Sequence, residues 1–121
     1  MSKQPALFKG APEKKPLESV VLKWIKAYLR ARNIFHVRIN SGRIRTQQGH
    51  WVQLAPEGTP DLYVLYKGVS LWVEAKREGE KPRAEQLRQH EFIRQSGGVV
   101  IVAESVEDVR AALMNIDKEK A

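Results

Sequence analysis

The chain has 121 residues, with 21 lysines and arginines against 14 aspartates and glutamates, a net charge of +7. That length suffices for the core of one domain, and the absence of cysteine excludes disulfides and thiolate metal sites. No run reaches the length of a membrane span, and Met-Ser-Lys-Gln-Pro at the start lacks the apolar core of a signal peptide, so the expected location is cytoplasmic.

Residues 1–15, with Pro5, Gly10, Pro12 and a lysine pair, show no periodicity and read as a flexible arm ahead of a single domain over 16–121. Pro16 is placed to open a helix running to about Arg32, with Leu17, Val20, Val21, Trp24, Ile25 and Tyr28 along one face. Glu18 falls inside that apolar arc, where a carboxylate is costly unless compensated; the alternative is that it only favours the helix N-terminus. Ile34 to Asn40 alternates as a strand, with Phe35, Val37 and Ile39 on one face and His36, Arg38 and Asn40 on the other. A more polar hairpin follows, Arg43 to Thr46 and His50 to Leu54. It carries Arg43, Arg45 and Trp51, cations and an aromatic suited to phosphate contact and base stacking, or equally to protecting a sheet edge.

Between Ser19 and Pro56 there is no acidic residue, while Lys23, Lys26, Arg30, Arg32, Arg38, Arg43 and Arg45 all fall there. The basic excess is therefore local. A local cationic field favours a polyanionic partner, most simply nucleic acid, against the alternative of a basic protein with no such role.

Pro56, Gly58 and Pro60 form a stiff loop leading into two β-rich runs, Leu62 to Tyr66 and Val69 to Lys76, joined at Lys67-Gly68. A two-residue turn there sets Tyr66 against Val69, Val64 against Leu71 and Asp61 against Glu74. Opposed carboxylates repel at such close range, so a positive charge is expected between them. With period two, Lys76 shares the face of Glu74. Two carboxylates can hold a hard divalent cation, and an ammonium can reach a phosphate; the alternative is a salt bridge between Lys76 and either acid.

Pro82 opens a second helix to about Ser96, whose arc between Leu87 and Ile93 also holds Gln86, His90 and Arg94 and so turns polar groups inward. His90 reads as a partly buried structural histidine. Gly97-Gly98 stops the helix, and Val99 to Ala103 is an apolar run suited to a central strand. Ser105 and Asp108 form a capping box for a last helix with Val106, Val109, Leu113 and Ile116 inward. The order predicts an α/β fold, a mixed sheet with helices packed against it.

Pro60-Asp61 followed by Glu74-Ala75-Lys76 resembles the PD-(D/E)xK nuclease superfamily. With Gly58-Thr59-Pro60-Asp61-Leu62, Val73, Gln86 and Gly97-Gly98, the stretch from Leu17 to Glu104 is similar to its virus-type replication-repair nuclease (VRR-NUC) branch. The resemblance implies a restriction-endonuclease-like core and magnesium-dependent cleavage of DNA, with manganese as a substitute. It implies Asp61, Glu74 and the Ala75 carbonyl as metal ligands, Glu18 completing the site, Lys76 acting on water or transition state, and Gln86 orienting Lys76 or the water. Lys23, Arg38, Asn40, Arg43, Arg45 and Trp51 are the expected DNA contacts. By the same analogy, stand-alone phage and bacterial members resemble homodimeric enzymes that act on branched DNA such as Holliday junctions in repair and recombination. The rival reading is a catalytically silent DNA-binding module of the same fold, and RNA is a third possible substrate.

Overall fold

The computed structural model describes residues 14–121; the expected N-terminal arm lies outside them apart from Lys14 and Lys15, which have no regular structure. Helix α1 spans Glu18–Ala31, with Leu17 at its N-cap. Pro16 thus precedes the cap rather than opening the helix. Val21, Ile25 and Leu29, one turn apart, are its buried residues. The stripe is narrower than predicted, for Leu17 and Trp24 stay exposed.

Strands β1 (Phe35–Arg38), β4 (Leu62–Tyr66), β5 (Val69–Ala75) and β6 (Val99–Ala103) form one sheet in the order β1-β4-β5-β6, while β2 (Arg43–Arg45) and β3 (Trp51–Gln53) make a separate hairpin. Helix α2 (Ala84–Gln95) connects β5 to β6, which run parallel, and α3 (Val106–Lys120) follows β6. A parallel pair needs such a crossover, whereas β4 and β5 are antiparallel and need only a turn. Lys67 and Gly68 make that turn, both at positive φ (49° and 80°), as the type I′ form of a two-residue hairpin loop requires. The register is the predicted one, Tyr66 with Val69, Val64 with Leu71 and Leu62 with Val73. Continued one residue past the ladder, that register sets Asp61 against Glu74.

Leu62, Val64, Leu71, Val73, Ala75 and Ala103 meet Val21, Ile25 and Leu29 of α1 and Val109, Leu113 and Ile116 of α3 in one core. Each leucine or isoleucine fully buried there is worth about 1.5–3 kcal/mol over an exposed one. On α3, Ser105 Oγ accepts from the Asp108 N–H, and Asp108 accepts from the N–H of Glu104 rather than of Ser105, one residue off a strict capping box.

Phe35 and Val37 share a face, as the alternation predicts, and are 60% and 43% exposed, because no helix covers that face of β1. One expectation about the strands is corrected. β6, expected in the centre, is an edge strand; its apolar run reflects helices on both its faces, α3 on one and α2 on the other. Among the described residues no helix is long and apolar enough to cross a membrane.

Candidate active site

The loop before β4 delivers Asp61, and Gly58 fixes where that loop lies. Its φ is +91°, and a Cβ there would sit 2.4 Å from the Glu85 carbonyl oxygen, so the loop backbone rests directly on the first turn of α2. Ile39 N–H donates to the Asp61 carbonyl at 2.8 Å. The Asp61 side chain reaches across to β5, where Oδ2 accepts the Ala75 N–H at 2.8 Å. In an extended strand a residue's N–H and C=O project the same way, so the Ala75 carbonyl also points toward Asp61.

Glu74 is 1% exposed and held from α2. Gln86 Nε2 donates to its Oε2 at 3.1 Å, and His90 Nε2 lies 3.2 Å from its Oε1. Gln86 is itself anchored, its Oε1 accepting the Arg83 N–H at 2.8 Å. The bond Gln86 makes is thus to Glu74, where the resemblance implied that it orients Lys76 or a water. His90, which reads from sequence as a structural histidine, is part of this cluster. The legible signal was its spacing: four residues after Gln86, it shares a helix face with it.

Burial, then the neighbouring Asp61 charge and the hydrogen bond between the two carboxyls, push Glu74 up to about 8. Burial also raises Asp61, against the Ala75 N–H and the Arg38 guanidinium, which favour its ionised form. Burial lowers His90, helped by Arg94 and Lys76. The fold has thus placed two acids together where neither ionises freely.

Lys76 is 6% exposed and its Nζ lies 3.3 Å from Glu18 Oε1 at the start of α1. Its charge also acts on Glu74. The sequence placed Glu18 inside the apolar arc; its side chain is instead 45% exposed, and it joins the cluster through Lys76. Gln86, Glu74 and Asp61 are thus linked by hydrogen bonds and Lys76 by an ion pair to Glu18, and the Lys76 charge acting on Glu74 relates the two groups.

The expected DNA contacts divide. Arg38 lies beside the carboxylates, its guanidinium donating to the Asp61 carbonyl at 3.2 Å and standing 3.8 Å from Oδ1. Arg43 and Arg45 lie over the Trp51 ring, 5.1 and 5.7 Å from its centroid. Their hairpin is rooted near Asp61, because the Asn40 carbonyl at its base accepts from Ala55 and the next residue back, Ile39, bonds Asp61. Lys23 is apart from these, on α1 with Lys26 and Arg30 along a cleft of about 330 Å³. A larger cleft of about 580 Å³, lined by Ser70, Trp72, Phe92 and Gly98, contains none of the carboxylates.

Among the described residues no three His, Asp or Glu side chains are gathered as a ready ligand cluster. The pair Asp61 and Glu74, with the Ala75 carbonyl, nonetheless fits a hard divalent cation: the donors are all oxygen, and their raised pKa values show a local need for positive charge.

A mixed sheet flanked by helices, with paired carboxylates and a buried lysine at the end of its antiparallel hairpin, is the architecture of a restriction-endonuclease-like nuclease domain. One solved structure, described as a VRR_NUC domain, is 31% identical, with a TM-score of 0.59, over 80% of this chain and 94% of its own. The chain belongs to the VRR-NUC family of nuclease domains. No family model and no curated protein matches it.

Proposed function

We propose that this domain is a divalent-cation-dependent endonuclease that hydrolyses phosphodiester bonds in DNA, with magnesium as its ion. The observation that carries the proposal is the hydrogen-bonded pair of carboxyls, Asp61 and Glu74, close to buried Lys76. Such an arrangement destabilises a metal-free fold and is accounted for by a cation. Asp61, Glu74 and the Ala75 carbonyl would hold that ion, with Glu18 on its margin. Bound there, it would supply Lewis-acid activation of the scissile phosphate and a lowered pKa for the attacking water. Lys76, an ammonium with only donors to offer, cannot be a ligand and acts on the nucleophile or on the charge developing at phosphorus. Arg38, on the open side of Asp61, is placed for the scissile phosphate, and Arg43, Arg45 and Trp51 for backbone and bases flanking it. Lys23 and Asn40 would extend that path.

A single small domain has little chain for reading base sequence, so the substrate we favour is structured DNA, a four-way junction being the first to test. Homodimerisation fits this reading, since two sites serve two strands. The open half of the sheet, with Phe35, Val37 and Leu65 all more than 40% exposed, offers the surface for it. The test is cleavage of a mobile four-way junction and of linear duplex with magnesium. Wild-type protein is expected to cut the junction, Asp61→Asn and Glu74→Gln to cut neither. Cleavage by Glu74→Gln at the wild-type rate removes the site assignment, and an inert wild type that still binds DNA points to a silent binding module.

A further inference from the structure

We propose that His90 is a positioning residue of this site: together with Gln86 it clamps both oxygens of Glu74 to α2 and so sets the affinity for the cation. The inference rests on the metal-dependent reading above. The bond from His90 Nε2 to Glu74 Oε1 is 3.2 Å, that from Gln86 Nε2 to Oε2 is 3.1 Å, and His90 and Glu74 are each 1% exposed. A carboxylate offers only acceptors, so opposite ionised Glu74 it is Nε2 that carries the ring hydrogen. Each Glu74 oxygen has two lone-pair directions. One donor per oxygen from α2 stops the carboxylate rotating and leaves the second direction for an ion.

The clamp also sets Glu74 relative to Asp61. Gln86 and His90 stand four residues apart on one face of α2. The first turn of that helix is pinned by the Arg83 N–H on Gln86 Oε1 and by the loop backbone at Gly58, which leads to Asp61. One helix therefore registers both carboxylates. Were His90 there only to fill space, an apolar side chain of similar volume would do so without desolvating a polar ring.

The experiment is calorimetric titration of Mn²⁺ into wild type, His90→Leu, His90→Gln and His90→Asn without DNA, each paired with a metal-free thermal melt. Loss of an outer partner of a ligand typically costs about 10-fold or more in metal affinity, and His90→Leu is expected to show that loss with a metal-free melting temperature unchanged or raised. His90→Gln, whose amide nitrogen reaches about as far as Nε2, is expected to stay near wild type. His90→Asn keeps a polar group but stops short of Glu74, and is expected to behave as His90→Leu does. Wild-type affinity in His90→Leu or His90→Asn overturns the proposal. So does a loss equal in all three variants and matched by lost metal-free stability, which is the signature of a packing role. A wild type that takes up no Mn²⁺ overturns the metal-dependent reading itself, an outcome distinct from those two.

Discussion

Glu74 is the residue whose charge this fold most opposes, and that opposition has a sign. Its carboxyl rises from 4.5 to about 8, through burial first and Asp61 second. Between pH 6.5 and 8 the folded protein keeps a proton that the unfolded chain has lost, so metal-free stability falls as pH rises through that window. Below 6.5 lowered His90 acts the other way, because there the unfolded chain takes up a proton that the folded one refuses. Thermal melts of metal-free protein across pH 6.5 to 8 are expected to decline, and Glu74→Gln to flatten the decline; a wild-type profile level across that window contradicts the raised carboxyl. Lys76→Ala isolates chemistry from folding. Glu18, 45% exposed, keeps access to water once its partner is gone, so the variant is expected to fold and bind metal. Removing a preorganised charge aimed at the transition state costs about 10² to 10³ in rate. Single-turnover cleavage within a few-fold of wild type returns Lys76 to a plain ion pair.

Among the elements, the β4–β5 hairpin and α2 divide the work: the hairpin opposes two acids, and the helix and its loop hold them in place. Gly58 is where loop and helix meet. Alanine there carries both a positive φ of 91° and a Cβ 2.4 Å from the Glu85 carbonyl, whereas Gly68 has φ 80° with nothing within 4 Å. Strain of the first kind costs about 1–3 kcal/mol, and the close approach is added to it. Gly58→Ala is therefore expected to lose clearly more stability than Gly68→Ala in urea unfolding. Equal losses remove the contact between loop and helix from the account of how Asp61 is placed.

For the whole molecule, the uneven covering of the sheet decides what surface is offered. One face is closed by α1 and α3; the other has α2 over β6 and leaves β1 and β4 open, with Phe35 60%, Val37 43% and Leu65 44% exposed. Phe35 and Leu65 are cross-strand partners, so one pair of charges splits the patch. Sedimentation of wild type is expected to give a dimer, and Phe35→Glu with Leu65→Glu a monomer that keeps its fold. An unaltered dimer in the double variant places the interface elsewhere.

Local spacing was enough to determine the hairpin register, because a two-residue turn leaves one pairing, and with it the opposition of Asp61 to Glu74. It also located the helices to within a few residues and the acid-free basic stretch. The tertiary structure decided what lies across gaps that periodicity does not span. Gln86 and His90 share a face by spacing, but that this face closes on Glu74 follows from how α2 crosses from β5 to β6. Glu18 meets Lys76 because the start of α1 lies at the end of β5, a contact 58 residues apart in sequence. The exposure of Phe35 and the edge position of β6 were likewise invisible, since alternation tells which residues share a face and not whether anything covers it.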